Sequence, residues 1–571
     1  MLTPPIISSM LLLRLLLGCA VLLLLILTKP ESYGDTSLYV HSTILASKRE
    51  FASRQNPLWD FGHLLWRPIG SWCWQAIDAL PYLREQFNET QRAYLPFIAI
   101  STISGILGVG LMYAIARQFV GDTWVAVVAA GGLLTSHAYL NYWQSGHSYN
   151  PGLTCVLASI YLADRARRSN DWLRPTVAAG FFLAVAILFW ISYVLVAPVI
   201  AIFLMVPFPK ANEPRPFWRQ RLKPVAVLTL VTVLIGAAAY GWVAKENGIT
   251  TAKEFVDWAE QASHGMAQTK RLLRLPTALP RTLVHVGEDG MMLKRFVLKD
   301  PYASVSLLDL LRMSVVKMVA FYGCMALLLY ALSRTARGRW ALLFLGLIVG
   351  INVVFAVTVF EPSQIDRYLP SYPFFWLAMA IALKTAQPRT QLVLCGAVAF
   401  MAVNNAVALS PRVHGSRDDE TFARRALLRE IPSGSKIVLL NFKDELWRQQ
   451  DRLPFHPEMR VSLPVYDLLA TGVAGAAETW RAKFANECLR AFQSGGQVWV
   501  SERVLRDRPL PDWKWVEGDQ QGVTWTDFPQ LFRSLAYSEK RGSGDGFRRL
   551  VPSPANLEKL HSLAAGAPKE Q

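Results

Sequence analysis

The sequence predicts a polytopic α-helical membrane protein of about eleven transmembrane helices, followed by a C-terminal soluble α/β domain. Three observations predict it. The 571 residues are 52% hydrophobic with a positive mean hydropathy. The apolar residues gather into long, nearly uncharged runs of the roughly 20 residues that a bilayer core requires of a helix. From residue 411 onward that character stops, and short apolar segments alternate with an amphipathic one.

Candidate spans fall at roughly 6–28, 93–117, 123–142, 150–166, 175–190, 191–207, 222–245, 314–334, 340–360, 371–386 and 390–410. The first is long and leucine-rich, with no small-residue cleavage site after it, and reads as a retained anchor. The run from Pro175 to Phe208 is too long for one ordinary span and short for two. Charge decides it. The segments on either side, DRARRSNDWLRP and KANEPRPFWRQRLKP, are both basic, and cytoplasmic loops carry the excess of Lys and Arg. A hairpin of two short helices keeps both inside. The formal charge of +17 is read the same way, as cytoplasmic loops rather than nucleic-acid binding. The N-terminus then lies in the cytoplasm. Residues 29–92, 143–149, 246–313, 361–370 and everything after 411 lie outside, in the periplasm if the membrane is a bacterial inner membrane. Cys73 and Cys488 are the two cysteines in predicted soluble segments, and their pairing stays open.

Residues 1–410 form the membrane domain, including the large outer loops 29–92 and 246–313. In the first loop, TSLYVHSTILASKREFA and IGSWCWQAIDALPYLREQF repeat apolar residues at helical spacing, which suits interfacial helices. TAKEFVDWAEQASHGMAQTKRLLR in the second does the same. In residues 411–571, SKIVLLNF and GQVWVSERVL read as buried strands and AAETWRAKFANECLRAFQSG between them as a helix ended by Gly. This β–α–β pattern makes an outer-face α/β domain, closing in a polar tail after Pro552.

Polar chemistry concentrates outside. The first loop has Glu31, Asp35 and His41, then NPLWDFGHLLWRPIG with Asp60, His63 and Arg67. The second has HAYLNYWQSGHSYNPG with His147 and Tyr149. The fifth has FEPSQIDRYLPSYP with Asp366, Arg367 and Tyr368. Each residue has a bland reading. Asp35 caps the helix beginning at Thr36. His63 is a hydrogen-bonded packing histidine, and Arg67 or Arg367 snorkels to the interface. Asp366 is a neighbour in solvent, and SGHSYNPG is an ordinary turn. Taken together they suit group transfer from a lipid-phosphate donor. A carboxylate takes the proton of an acceptor hydroxyl or amine, arginines hold the phosphate as charge grows on it, and aromatic residues line sugar or lipid.

At this point the sequence resembles the GT-C glycosyltransferase superfamily. The closest look is to the branch of protein O-mannosyltransferases and bacterial aminoarabinose transferases. The resemblance rests on the Gly-Asp early in the first outer loop, on GHLLWRPIG, and on DRYLPSYPFFWLAMA. It implies Asp35 as the catalytic acidic residue, with His63, Arg367 and Tyr368 at matching motif positions. The residues themselves favour Asp35 as general base and Arg67 and Arg367 as contacts of the donor phosphate. Asp60, His63, His147, Tyr149 and Tyr368 are the remaining substrate-binding candidates. Where many members have an acidic pair, Asp35 is followed by Thr36, which argues against a metal site of the oligosaccharyltransferase kind.

The expected activity is therefore an integral membrane glycosyltransferase, probable inversion included, taking a polyprenyl-phosphate-sugar donor. The acceptor is a lipid, polysaccharide or protein. No cofactor is required, a divalent metal is left open, and no nucleic-acid partner is expected. The rivals are a glycan polymerase or ligase using a lipid-diphosphate oligosaccharide and, from another class, a transporter or flippase. Transporters carry ionisable or broken-helix residues at the membrane midplane, whereas here the polar residues crowd the outer rim.

Overall fold

The computed structural model describes residues 6–27, 35–48, 56, 58–87, 89–205, 218–261, 275–286, 306–310, 315–359, 364–409, 427, 430–439, 462–464, 480–502, 504–505, 527–541 and 546–565. The chain divides into two compact units, Met1–Ser410 and Pro411–Gln571.

The first unit is helical throughout its described residues. Five helices are long and apolar enough to cross a membrane: Arg92–Val120, Arg221–Glu246, Val316–Ser333, Ala336–Thr358 and Pro388–Ala408. Their apolar side chains do not all turn inward. Leu230, Val233 and Leu234 are each 58% exposed, and Leu392 is 75% exposed. Exposed apolar belts of that extent mark a surface that meets lipid. Helix Ile6–Leu27 presents Leu11, Leu15, Leu22 and Leu23 in the same way.

The turns at residues 121–122 and 335 follow ordinary local chemistry. Gly121 adopts a left-handed conformation (φ 67°) that ends one helix. Asp122 then caps the next, its carboxylate accepting from the backbone N–H of Trp124 and Val125. Lys384 pairs with the same carboxylate at 2.9 Å, and the pairing holds the Asp122 pKa below the usual carboxylate value. Thr335 caps Ala336–Thr358 through the N–H of Gly338.

The third expected span is not one straight helix. Thr123–Thr135 and His137–Trp143 are bent by 64° at Ser136. The Ser136 hydroxyl donates back to the Gly132 carbonyl at 2.8 Å and accepts from Trp376 Nε1 at 3.1 Å, and a serine that bonds its own preceding turn often bends a helix. Trp376 also fills the space over Gly132. A β-carbon on Gly132 would lie 2.1 Å from the indole. Gly132→Val is therefore expected to destabilise the protein by about 1–3 kcal/mol, seen as a lowered Tm in detergent, while Gly131→Ala, whose β-carbon meets nothing within 4 Å, leaves it unchanged.

The long run from Pro175 does split. Helix Leu173–Phe189 ends at Trp190, whose backbone is extended. A 3-10 turn Ile191–Val196 follows, then helix Ala197–Met205. In the outer loops, the expected interfacial helices are Thr36–Lys48, Trp66–Asp78 and Pro81–Gln86. The helix expected from Thr251 onward is present as Ala252–Gln261, and the rest of that stretch lies outside the described residues. Its Trp258 packs against Phe61 at 5.1 Å, in a cluster with Leu64, Leu188 and Val243. Residues from 58–65 and 249–258 thus share one apolar core.

The second unit holds a five-stranded sheet in the order β2-β1-β3-β5-β4. Here β1 is Lys436–Leu439, β2 Ser462–Pro464, β3 Val498–Ser501, β4 Tyr537–Arg541 and β5 Phe547–Leu550. The β1–β2 and β1–β3 pairs are parallel, joined through helix Trp480–Gln493, which ends before Gly495 (φ 75°). The β3–β5 and β4–β5 pairs are antiparallel. The polar tail expected after Pro552 is instead a helix, Pro554–Ala564. Ser553 caps it, and its Leu560 and Asn556 are buried. Asn556 bridges the Ala536 and Val551 backbones, so this helix belongs to the unit's core. All six cysteines are free, Cys73 and Cys488 included.

Candidate active site

Asp35 opens helix Thr36–Lys48, and its carbonyl accepts the first turn's bond from Tyr39 N–H at 2.9 Å. The residue is partly buried. Among the described residues its carboxylate accepts no hydrogen bond, so the capping role open to it in the sequence is not made. The next residue fixes its position. Thr36 Oγ1 donates to the Ser145 carbonyl at 2.6 Å and lies 3.1 Å from His147 Nδ1. Gly146, between them, has φ 75° and presses against Thr36. A β-carbon there would come within 2.7 Å of its methyl group, so only glycine fits both the conformation and the space. Trp66 Nε1 donates to the Gly146 carbonyl at 3.1 Å. The segments around Thr36 and Trp66 and around Gly146 are therefore locked together directly beside Asp35.

Arg67 lies in the first turn of Trp66–Asp78 and is buried, not snorkelling. Its Nη2 meets Asp60 Oδ2 at 2.6 Å, its Nη1 donates to Ser42 Oγ at 3.3 Å, and its guanidinium lies 5.4 Å from the centre of the Tyr39 ring. Asp60 also accepts from the Gly62 N–H at 2.8 Å. His63 Nδ1 stands 2.8 Å from Ser148 Oγ and 3.1 Å from the Phe189 carbonyl. A carbonyl only accepts, which places the proton on Nδ1 of the neutral ring.

The last outer loop brings Arg367. It is buried and donates through Nε and Nη2 to Gln364 Oε1, at 3.0 and 2.7 Å. Its Nη1 lies 3.4 Å from Asp366, and its guanidinium lies 5.7 Å from the Trp190 ring. Tyr149 stacks between, 4.6 Å from Trp190, 5.0 Å from His147 and 6.0 Å from His63. Asp35, Asp60, His63, Arg67, His147, Tyr149 and Arg367 thus form one cluster drawn from three loops. Tyr368 does not join it. It is fully buried against Ala278 and Ala356.

Burial sets the ionisation of the cluster. It lowers the His63 pKa despite the carboxylates of Asp60 and Asp35, and it lowers that of His147 to about 4. Both rings are neutral at pH 7, so the positive charge comes from the two arginines. Burial raises the pKa of Asp366, opposed by the Arg367 guanidinium beside it. Asp366 is 4% exposed, which corrects its reading as a residue in solvent. An unfolded histidine titrates near 6.5 and His147 near 4, so the unfolded chain binds the extra proton in that window. His147's contribution to stability is present above about pH 6.5 and is lost as pH falls toward about 4. A melting series from pH 7.5 to 4.5 should show wild type losing Tm more steeply than His147→Gln, in the region of acid where His63 acts alike in both.

The sequence did not single out Trp190 or Tyr39, and it offered Asp366 only as a polar residue of the last loop. Trp190 sits inside an apolar run with no local motif. Its one signal is that it falls at the break between two short helices. Among the described residues, no three of His, Cys, Asp or Glu come together to hold a metal ion.

Residues 88–240 match the protein family described as dolichyl-phosphate-mannose-protein mannosyltransferase. The resemblance to GT-C membrane glycosyltransferases therefore extends to this stretch, which holds His147 and Tyr149. No curated relative matches the chain. Among solved structures, ArnT from Cupriavidus metallidurans in the apo state is similar at 12% identity, covering 97% of this chain and 98% of that one, with a TM-score of 0.48. The same protein bound to undecaprenyl phosphate gives 12% identity, 96% and 98% coverage, and a TM-score of 0.46. The Archaeoglobus fulgidus oligosaccharyltransferase in complex with Zn and sulfate gives 14%, 89% and 70%, and 0.45.

Proposed function

We propose that the chain is an integral membrane glycosyltransferase of the GT-C superfamily that moves a sugar from a polyprenyl-phosphate donor to an acceptor at the outer face. The observation that carries this reading is a contrast among three carboxylates. Asp60 is hydrogen-bonded to Arg67 at 2.6 Å, and Asp366 lies beside the Arg367 guanidinium at 3.4 Å, a charge contact without a hydrogen bond. Asp35, in the same cluster, accepts no hydrogen bond among the described residues and lies close enough to bear on the ionisation of His63, His147 and Asp366. A general base must be positioned and unengaged, and among the described carboxylates of the cluster Asp35 is the one with neither an arginine partner nor a hydrogen bond. The family match over residues 88–240 supports a lipid-phosphate donor.

In the proposed reaction the acceptor oxygen or nitrogen attacks the anomeric carbon while Asp35 takes its proton. The bond from that carbon to the phosphate oxygen breaks with its electron pair, and polyprenyl phosphate leaves. Arg67 and Arg367 meet the charge that grows on the phosphate. Their carboxylate and amide partners hold both guanidinium groups in place beforehand, so little reorganisation is needed at the transition state. Attack from the face opposite the leaving phosphate inverts the anomeric centre. Tyr149 and Trp190 offer rings for the sugar, and the neutral His63 and His147 brace the loops that carry them.

We place this chemistry on the periplasmic side of a bacterial inner membrane, with the N-terminus in the cytoplasm, about eleven spans, and the unit Pro411–Gln571 outside. The support is the basic run Arg165, Arg167 and Arg168 at the opposite end of helix Tyr149–Arg168 from the cluster. The test is to supply the purified protein with a labelled polyprenyl-phosphate monosaccharide and, in parallel, a polyprenyl-diphosphate oligosaccharide. Transfer from the first alone is expected. Transfer from the second alone overturns the donor assignment.

A further inference from the structure

We propose that the outer half of the helix pair Val316–Ser333 and Pro388–Leu409 holds a bilayer phospholipid with an anionic headgroup, at a site separate from the cluster around Asp35. The geometry is a cavity of about 290 Å³ between these helices and helix Tyr372–Thr385. Its walls are apolar, made chiefly by Phe321, Met325, Leu328, Phe375, Met379 and Met401. No residue of the wall belongs to the Asp35 cluster. The single charged side chain of the lining is Lys317, in the first turn of its helix.

Lys317 gives the cavity its chemistry. Among the described residues its ammonium has one partner, the His285 carbonyl at 3.3 Å, and no carboxylate. An ammonium carries three donors, and a cation at a membrane interface without a counter-charge attracts anionic headgroups. The backbone it leans on is rigid. The His285 N–H donates to Asn405 Oδ1 at 2.7 Å and its carbonyl accepts from Asn404 Nδ2 at 2.9 Å. Asn405 Nδ2 in turn donates to the Thr135 and Leu283 carbonyls, both at 2.7 Å. A fixed cation over an oily slot is complementary to a phosphodiester on a hydrocarbon chain. A polyprenyl donor is a poorer occupant, because its phosphate must lie against Asp35 for the chemistry proposed above. That preference for a phospholipid over the donor rests on the proposed function, whereas the cavity and its lysine do not.

Gly396 supplies a clean way to close the slot. It lines the cavity, and a β-carbon there meets nothing within 4 Å. Gly396→Leu adds its bulk from a β-carbon that meets no neighbour, and it replaces a poor helix former with a good one. The experiment reconstitutes the full chain in nanodiscs of equal phosphatidylcholine and phosphatidylglycerol and measures retained lipid by native mass spectrometry after release into detergent. Wild type should retain phosphatidylglycerol over phosphatidylcholine by about tenfold, the equivalent of one charge-assisted hydrogen bond. Lys317→Gln should lose the preference while still retaining lipid, and Gly396→Leu should lose retention altogether with Tm unchanged or raised. Equal retention of the two lipids by wild type overturns the proposal, as does an undiminished preference in Lys317→Gln. One-for-one displacement of phosphatidylglycerol by added polyprenyl phosphate overturns it too, and assigns the slot to the donor's chain.

Discussion

Asp35→Asn is expected to reduce sugar transfer by about 10²–10⁴-fold, the usual value of a general base, while the protein remains folded and inserted. The substitution keeps size and shape and removes only the charge. Because the wild-type carboxylate accepts no hydrogen bond among the described residues, no native contact is lost with it. Thr36, Ser145 and His147 hold the position without its help. The loss should therefore fall on kcat, with donor binding and Tm close to wild type. The measurement is a single-turnover assay with a lipid-linked sugar, paired with a thermal melt. A variant that transfers at the wild-type rate sinks the assignment of the base. A variant that melts early reveals a structural role instead.

The second large effect is at Arg67. Its pairing with Asp60 is buried, with side-chain exposures of 11% and 9%. Removing one member of such a pair strands the other charge and costs about 3–5 kcal/mol, whereas replacing both with neutral groups is often close to neutral. Arg67→Met should lower Tm markedly, and the double variant Asp60→Asn with Arg67→Met should restore much of it. If Arg67 acts only by bracing the loop, the double variant recovers transfer along with stability. If it meets the donor phosphate, the double variant melts like wild type and stays inactive. Arg67→Lys sharpens the distinction, since it keeps the charge but cannot reproduce the fork that spans Asp60 and Ser42.

Much of the membrane unit was legible because its cues are local. Charge on both flanks required a hairpin between Pro175 and Phe208, and the chain does turn at Trp190. Helical spacing in the first outer loop marked the helices at Thr36 and Trp66. The bend at Ser136 was hidden because the serine's second partner, Trp376, lies 240 residues away. The same holds within the cluster. A carboxylate next to an arginine looks solvated in sequence, and only the packing around Trp190 and Tyr149 puts Asp366 out of water. In the second unit the parallel pairs β1–β2 and β1–β3 show as apolar runs, at least at β1 and β3. Strands β4 and β5 do not, because YSEKR and FRRL are rich in charged residues, and β4 lies at the antiparallel edge of the sheet. The helix after Ser553 had a readable start, a capping serine followed by proline, masked by the polar residues around it.

The tie from Thr36 to Ser145 and His147 has a practical consequence for anyone re-engineering this scaffold. Neither loop is a portable part. A chimera that imports one partner from a distant homologue would bring a residue shaped for a different mate, and the error would be felt at the neighbouring carboxylate as a shift in aim. Successful swaps should require both segments to travel together, glycine hinge included, and libraries that vary them jointly should yield active recombinants where single-segment libraries yield folded but silent ones.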